Sequence, residues 1–245
     1  MRPLAQHQVE IQQNLRSWDA KPLLQKIYAG FYDRIVALID ERAPGRIVEI
    51  GSGIGNLKSR LPRALATDLF PNPWIDLVCD GYELPFCDGG VSHLVLFDVF
   101  HHLEAPNAFL KEARRVLAPS GRLILFEPFI SVCSFPVYGL LHHEPVAMGK
   151  TINLTQNLPH PRTYYAAQGN ATRLFFRRET PGWPPNWNVF HTEAFSAFHY
   201  LFSGGFSKPA MYPTVCLQTM RWLDATFSRW PRLFGGRCLI GMRPR

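Results

Sequence analysis

Residues 46–56 read "RIVEIGSGIGN": Ile47, Val48 and Ile50 form a short apolar run that stops at three glycines, Gly51, Gly53 and Gly55, set two positions apart. A buried strand that opens onto a glycine turn and then a helix-compatible segment is the first unit of an α/β sheet. Glycine there lets the backbone turn sharply and lets a ligand approach it closely. Ligands of open α/β sheets bind beyond the carboxyl ends of the strands, which is where this turn lies.

The following residues repeat the pattern. "ALATDL", "WIDLVCD", "SHLVLFDVF" and "GRLILFE" are short apolar runs suited to buried strands, and "GNLKSRL" and "PNAFLKEARRVLAPSG" between them suit helices. The second of these opens near Pro106 and closes on Gly121. Upstream, Leu24, Ile27, Tyr28, Phe31, Ile35, Leu38 and Ile39 recur at helical spacing and predict an amphipathic helix that ends by Pro44-Gly45. Strands alternating with helices imply right-handed crossovers and a mostly parallel sheet covered on both faces. The rhythm breaks at Pro128, and residues 128–190 are rich in proline, aromatic and amide side chains. A stretch of that length in a compact domain reads as an insertion with a lid or binding role. "HTEAFSAFHYLFSGGF" then predicts a helix closed by a glycine pair, "KPAMYPTVC" a strand, "LQTMRWLDATFSRW" a helix and "RCLIGMRP" a last strand.

Composition narrows the function classes. The 245 residues carry 26 Lys+Arg against 19 Asp+Glu, a formal +7, without a dense basic run. No zinc-finger, basic-zipper or RNA-binding-sheet pattern is present, so a nucleic-acid partner is not expected. The five cysteines are scattered without Cys-x-x-Cys, which points to free thiols in a reducing compartment. The opening residues lack the apolar core of a leader, and the most apolar stretch, Leu123 to Leu141, is interrupted by Glu127, Pro128 and Pro136. A cytoplasmic protein is expected.

The glycine turn carries a charge conflict. A dinucleotide site wants a third glycine where Asn56 stands, and Glu49 beside the turn would repel a pyrophosphate. A cationic ligand removes the conflict: S-adenosylmethionine carries a sulfonium and an ammonium and no phosphate. Asp68 ends the second predicted strand, where a carboxylate accepts from ribose hydroxyls, and Asp80 ends the third, within reach of an adenine amino group.

With "VEIGSGIGN", "ATDL", "CDGYELPFCDGG", "LVLFDVFHHL" and "FLKEARRVLAPSGRLILFEP" on the page, the chain from Arg46 to Pro128 resembles the class I S-adenosylmethionine-dependent methyltransferase family. The resemblance implies a Rossmann-like, seven-stranded, mostly parallel sheet with helices on both faces, a final antiparallel strand and an insertion after the fifth strand. It implies a helical lid over residues 1–45, a methyltransferase domain over 46–245, and a cap on the acceptor side formed by residues 128–190. By position, Glu49, Gly51, Gly53 and Gly55 would line the methionine moiety of the cofactor, Asp68 and Leu69 the ribose, and Asp80 with Gly81 the adenine. Phe97 would close the cofactor site. Ser92-His93 stands where many relatives carry an aromatic-acid pair, a difference with a structural rather than a cofactor role.

Methyl transfer is an in-line displacement that needs an aligned, desolvated nucleophile, and a general base only where the acceptor arrives protonated. His101 and His102 follow the fourth strand toward the cleft, and Glu127 ends the fifth; these three are the catalytic candidates. Each also has a packing or capping reading. His142, His143 and Glu144 show no metal-ligand spacing, and no metal is expected; they would form a polar wall of the acceptor pocket or a lid contact. Tyr28, Phe31 and Tyr32 would face the sulfonium or simply bury their helix. Tyr138, Tyr164, Tyr165, Phe175, Phe176, Trp183, Trp187 and Phe190 would form an apolar acceptor cavity or the core of the insertion itself. Met220, Leu223, Phe227 and Trp230, beside Arg221, Arg229 and Arg232, would suit peripheral contact with a membrane or ordinary packing. The acceptor expected is a small or lipid-like molecule, methylated on oxygen, carbon or nitrogen. A nicotinamide-dependent oxidoreductase and a catalytically inactive cofactor-binding scaffold are the alternatives.

Overall fold

The computed structural model describes residues 4–142, 144–155, 157–158 and 164–245. Helices α1 (Leu4–Ala20) and α2 (Pro22–Val36) precede strand β1 (Arg46–Ile50), followed by β2 (Leu65–Asp68), β3 (Leu77–Val78) and β4 (Val91–Phe97). Helix α3 (Pro106–Val116) leads into β5 (Leu117–Pro128), and the single turn α4 (Ser134–Pro136) opens the insertion. Strand β6 (Trp187–Ser196), helices α5 (Phe198–Leu201), α6 (Leu217–Phe227) and α7 (Pro231–Phe234), and strand β7 (Gly235–Pro244) complete the chain.

The seven strands lie in the order β3-β2-β1-β4-β5-β7-β6. The pairs among β1 to β5 are parallel, and β7 runs antiparallel to both neighbours. Order reverses at β1 and β4, and the resulting crevice at their carboxyl ends holds the site. Side-chain alternation divides the core between the faces. Leu94 and Leu96 of β4, with Leu123 and Leu125 of β5, join α3 through Phe109, Leu110, Ala113 and Val116. Val95, Ile124 and Phe126 join α2 through Leu24, Ile27, Phe31 and Ile35 on the other face. Each such aliphatic or aromatic side chain, fully removed from water, contributes about 1.5–3 kcal/mol. The doubly covered, seven-stranded sheet expected from the sequence is the fold observed.

Several local expectations are corrected. The helix over residues 191–206 is instead the end of β6 followed by one turn: His191 to Ser196 pair with β7. The hydrophobic pattern there is short, and the ten-residue ladder against β7 decides the outcome. No strand forms over residues 208–216; a 3₁₀ turn, Thr214–Cys216, leads into α6. Helix α2 stops at Val36 rather than near Pro44, and α3 passes directly into β5 at Leu117, four residues before Gly121. The segment after the glycine turn is a single 3₁₀ turn, Asn56–Ser59. Ser92 donates to the carbonyls of Gly45 and Arg46, and His93 Nε2 accepts from the Asp40 amide, so that pair ties β4 to the entry of β1. No helix among the described residues is long and apolar enough to cross a membrane.

Candidate functional site

The glycine turn is built as its sequence demands. Gly51, Gly53 and Gly55 sit at φ 68°, 55° and 68°, the left-handed region that other residues enter at a cost of about 1–2 kcal/mol. A methyl group on Gly51 would stand 2.5 Å from Val99 Cγ2, and one on Gly55 would stand 2.7 Å from the Trp74 carbonyl. At Gly53 it would meet nothing within 4 Å, because this glycine faces the open cleft. Ser52 donates to the Glu49 carbonyl and Thr67 Oγ1 to the same oxygen at 2.8 Å, fastening the turn to β2. Asp68 Oδ2 accepts from Gly53 N at 3.0 Å and Oδ1 from Phe70 N at 3.3 Å, so this carboxylate shapes both loops.

Glu49 is the unusual member. It is buried at the end of β1, and its Oε2 has no hydrogen-bond partner among the described residues. Burial pushes its carboxyl up to about 8; the Asp68 charge adds to this, while Ser52 and Lys58 oppose it. A buried carboxyl on the wall of the cleft with one oxygen left unpaired favours a cation brought from outside the chain. Asp80 Oδ1 accepts from Tyr82 N at 3.0 Å and lies on the wall of the cleft, as Leu69 does. Gly81 is set back from the wall: a side chain there would meet Phe109 and Ile50.

Phe97 lies between the rings of Tyr28 and Phe126, with centroids at 5.3 and 4.7 Å, and Tyr28, Tyr32 and Phe97 line the cleft together. Phe31 is turned inward instead, 4.9 Å from Phe126. The sequence reading missed the pair beneath them. Asp98, at φ 56°, and Arg237, buried at the start of β7, form a two-pronged ion pair, Nη2 to Oδ2 at 2.6 Å. The guanidinium lies under the Tyr200 ring at 4.6 Å and the Phe126 ring at 5.3 Å. No sequence spacing couples a residue after β4 to one 139 positions on; only the β5–β7 pairing brings them together.

At the far end of the cleft, His101 Nδ1 lies 2.6 Å from Glu127 Oε2. Glu127 Oε1 accepts from the amides of Val99 and Phe100 at 2.9 and 2.7 Å. Glu127 is fully buried and acts only through His101 and the backbone. His101 Nε2 and His102 Nε2 lie 3.3 and 3.5 Å from the carboxylate oxygens of Glu144, which also accepts from Tyr164 at 2.5 Å and Gln168 at 3.2 Å. Burial disfavours a charged His101, but Glu127 and Glu144 outweigh it and push its imidazole up to about 10. Burial and the neighbouring His101 charge lower His102 to about 4, so it is neutral at pH 7. Burial works against an ionised Glu144, yet the two histidines and Tyr164 hold its carboxyl well below the usual range. Glu144 had only a general polar role in the sequence reading; the fold makes it the hub of this end. His143 lies outside the described residues.

The two ends share one cavity of about 1090 Å³. That exceeds the roughly 300–1,000 Å³ of a pocket for one drug-sized molecule, and leaves room for a nucleoside and a second reactant. The aromatic residues of the insertion divide in two. Tyr138, Tyr164 and Tyr165 line the cavity, whereas Phe175 and Trp183 pack on Phe100, and Phe176 on Phe129.

Residues 48–125 match the family described as "Methyltransferase domain". Probable tRNA methyltransferase 9B of Mus musculus is 27% identical over 121 residues, which is 43% of this chain and 27% of that protein. Demethylmenaquinone methyltransferase of Thermus thermophilus is 31% identical over 115 residues, 38% of this chain and 52% of that one. The chain thus spans only about a quarter to a half of the length of these relatives. Geranyl diphosphate C-methyltransferase of Streptomyces coelicolor, solved with S-adenosyl-L-homocysteine, shares the fold with a TM-score of 0.51 at 12% identity, over 89% of this chain and 79% of that one.

Proposed function

We propose that this chain, whose residues 48–125 belong to the methyltransferase domain family, binds S-adenosylmethionine at the glycine turn and methylates a small, largely apolar acceptor. The observation that carries the reading is the buried, unpartnered Glu49 oxygen beside the open face of Gly53. This corner fits a cationic amino-acid moiety, whose charge stabilises the ionised Glu49, whereas a pyrophosphate would disfavour that ionisation and meet no cation here, which argues against a nicotinamide cofactor. The cofactor bound to the geranyl diphosphate enzyme supports the same choice. Glu49, Gly51 and Gly53 would hold the methionine end, Asp68 and Leu69 the ribose, Asp80 the adenine edge, and Phe97 with Tyr28 would wall the sulfonium. When bound, S-adenosylmethionine supplies an electrophilic methyl group.

The chain's own residues account for the rest. Val137, Tyr138, Leu201, Phe206 and Met211 give the second half of the cavity an apolar wall that strips water from an incoming nucleophile. His102 donates through Nδ1 to the Tyr165 carbonyl at 3.0 Å, which leaves Nε2 with its lone pair toward the cavity. A neutral imidazole so placed can take a proton from an acceptor hydroxyl, while His101, held by Glu127, orients the acceptor's polar end. Tyr28 and Tyr32 on one side and Val137, Tyr138, Tyr164 and Tyr165 on the other line the cavity, and the described parts of residues 1–45 and 128–190 would serve as its lid and its cap. Val215, Trp222 and Trp230, exposed before, along and after α6, suit contact with a membrane surface that presents a lipid-like acceptor.

Calorimetry with S-adenosylmethionine, S-adenosylhomocysteine and NAD tests the cofactor. Binding of the first two, but not the third, is expected, and NAD binding in their place would overturn the reading. Turnover with radiolabelled methyl donor, against isoprenoid, quinol and fatty-acid acceptors and against bulk tRNA, then tests the acceptor class. Labelling confined to tRNA would refute a small acceptor, and labelling of none would favour the inactive scaffold.

A further inference from the structure

We infer that His101, His102 and Glu144 form a divalent metal site of the zinc class, with an open position facing the acceptor half of the cavity. The inference deepens the functional reading above and rests on it only for what the open position would receive.

Each of the two imidazole rings has its Nδ1 committed to a partner. Glu127 accepts two backbone amides through Oε1 and meets His101 Nδ1 through Oε2 at 2.6 Å. A carboxylate so surrounded by donors is an acceptor, so His101 Nδ1 carries a hydrogen and donates it. The partner of His102 Nδ1 is a backbone carbonyl, that of Tyr165 at 3.0 Å, so this nitrogen donates as well. Both rings therefore turn Nε2 to the other side, and both Nε2 atoms meet one carboxylate, at 3.3 and 3.5 Å. Metal-bound histidines are oriented in this way: the far ring nitrogen donates to a carboxylate or a backbone carbonyl, which fixes the tautomer and strengthens the ligand.

The spacing agrees. Zinc binds imidazole nitrogen and carboxylate oxygen at about 2.0–2.2 Å, and tetrahedral ligands stand about 1.6 times that far apart, roughly 3.3–3.5 Å. The candidate ligand atoms of the three residues lie within 4.8 Å of one another, and the imidazole centroids are 4.2 Å apart. Glu144 is itself positioned by Tyr164 and Gln168, as metal-bound carboxylates are. All three residues line the large cavity, so a fourth position would open to it, and two histidines with one glutamate are the protein ligands of a recognised catalytic zinc geometry. The bound metal would take the place of the His101 Nε2 proton, and His102 would serve as a ligand in place of its role as a base. An acceptor hydroxyl, such as a phenol or enol, would occupy the open position, lose its proton to solvent at lower pH and be held as the nucleophile beside the methyl donor. The sequence offers no spacing signal for this site because two ligands are adjacent on a 3₁₀ turn and the third arrives from the insertion.

The test uses the full chain, stripped with a chelator and titrated with Zn²⁺ alone and Co²⁺ alone, without S-adenosylmethionine, so that failure here is separable from failure of cofactor binding. One equivalent of Zn²⁺ should bind, and Co²⁺ should give the intense visible absorption of a four- or five-coordinate ion. Acetohydroxamate, a small oxygen chelator, should shift that spectrum by entering the open position. Glu144→Gln and His102→Ala should each weaken Zn²⁺ binding at least 100-fold; His102 is partly exposed and its removal spares the core. Circular dichroism verifies that both variants fold. Zn²⁺ binding equally tight in the two folded variants, or a weak spectrum like that of aqueous Co²⁺ in the unaltered chain, would overturn the assignment.

Discussion

Glu49→Gln separates the stability of the ligand-free chain from its affinity for a cation, and the structure fixes the direction of both. The Glu49 carboxyl stays protonated up to about pH 8 in the folded chain against an ordinary value of 4.5, because burial disfavours the charge by more than Ser52 and Lys58 favour it. Between those two pH values the unfolded chain loses this proton and the folded chain keeps it. The folded state then binds more protons, so its stability falls as pH rises through the window. At 1.36 kcal/mol per pH unit the whole window amounts to on the order of 5 kcal/mol. Glutamine has the same shape and no charge, so the ligand-free variant should be several kcal/mol more stable than the parent at pH 8 and nearly equal to it at pH 4.5. Affinity should move the other way. Loss of a charge-assisted hydrogen bond to the ligand's ammonium costs about 1.5–3 kcal/mol, or roughly 10- to 150-fold in the Kd for S-adenosylmethionine. Binding to the parent must also expel the Glu49 proton, so affinity should rise by up to tenfold per pH unit from pH 6 to 7.5. That window ends below the pH at which the ligand's own amino group, at roughly 7.7–8.0, begins to lose its proton. Calorimetry at pH 6.5 in two buffers of different ionisation enthalpy counts the protons. Nearly one should be released by the parent and none by the variant. Equal proton counts at pH 6.5, or an unchanged Kd at pH 7.5, where removing the Glu49 proton costs little, would refute the assignment of Glu49 as the cation-binding group.

Three further outcomes are expected. Gly55→Ala adds a clash with the Trp74 carbonyl to the cost of a left-handed alanine, so in urea denaturation it should lose about 2–5 kcal/mol, against about 1–2 for Gly53→Ala. Gly53→Ala should instead act mainly on cofactor affinity, because its methyl enters the cleft. Asp98→Asn leaves the buried Arg237 guanidinium without its counter-charge and should cost about 3–5 kcal/mol, while the double change Asp98→Asn with Arg237→Met should recover part of that in a double-mutant cycle. Asp224, buried on α6, accepts from Ser196 Oγ and Phe198 N at 2.7 Å and from His199 N at 3.1 Å. Asp224→Ala strands these donors and should lower stability by at least about 3 kcal/mol in thermal or denaturant unfolding.

The sequence by itself determined the sheet and the glycine-turn end of the cleft. Alternating apolar strands and amphipathic helices dictate a doubly covered parallel sheet, and the glycine turn with Glu49, Asp68 and Asp80 is local information: each residue sits within a few positions of a strand end. The tertiary structure decided what depends on contacts between distant segments. Whether residues 191–196 form helix or strand was settled by pairing with β7, since a short apolar run carries no decisive period of its own. Asp98 meets Arg237 only because β7 inserts beside β5, and Glu144 meets His101 and His102 only because the insertion folds back over the end of β4. Local periodicity reports which face of an element is buried. It carries no record of which charged groups the chain's path will bring within 4 Å, and in this protein that path determines the half of the site built around His101, His102 and Glu144.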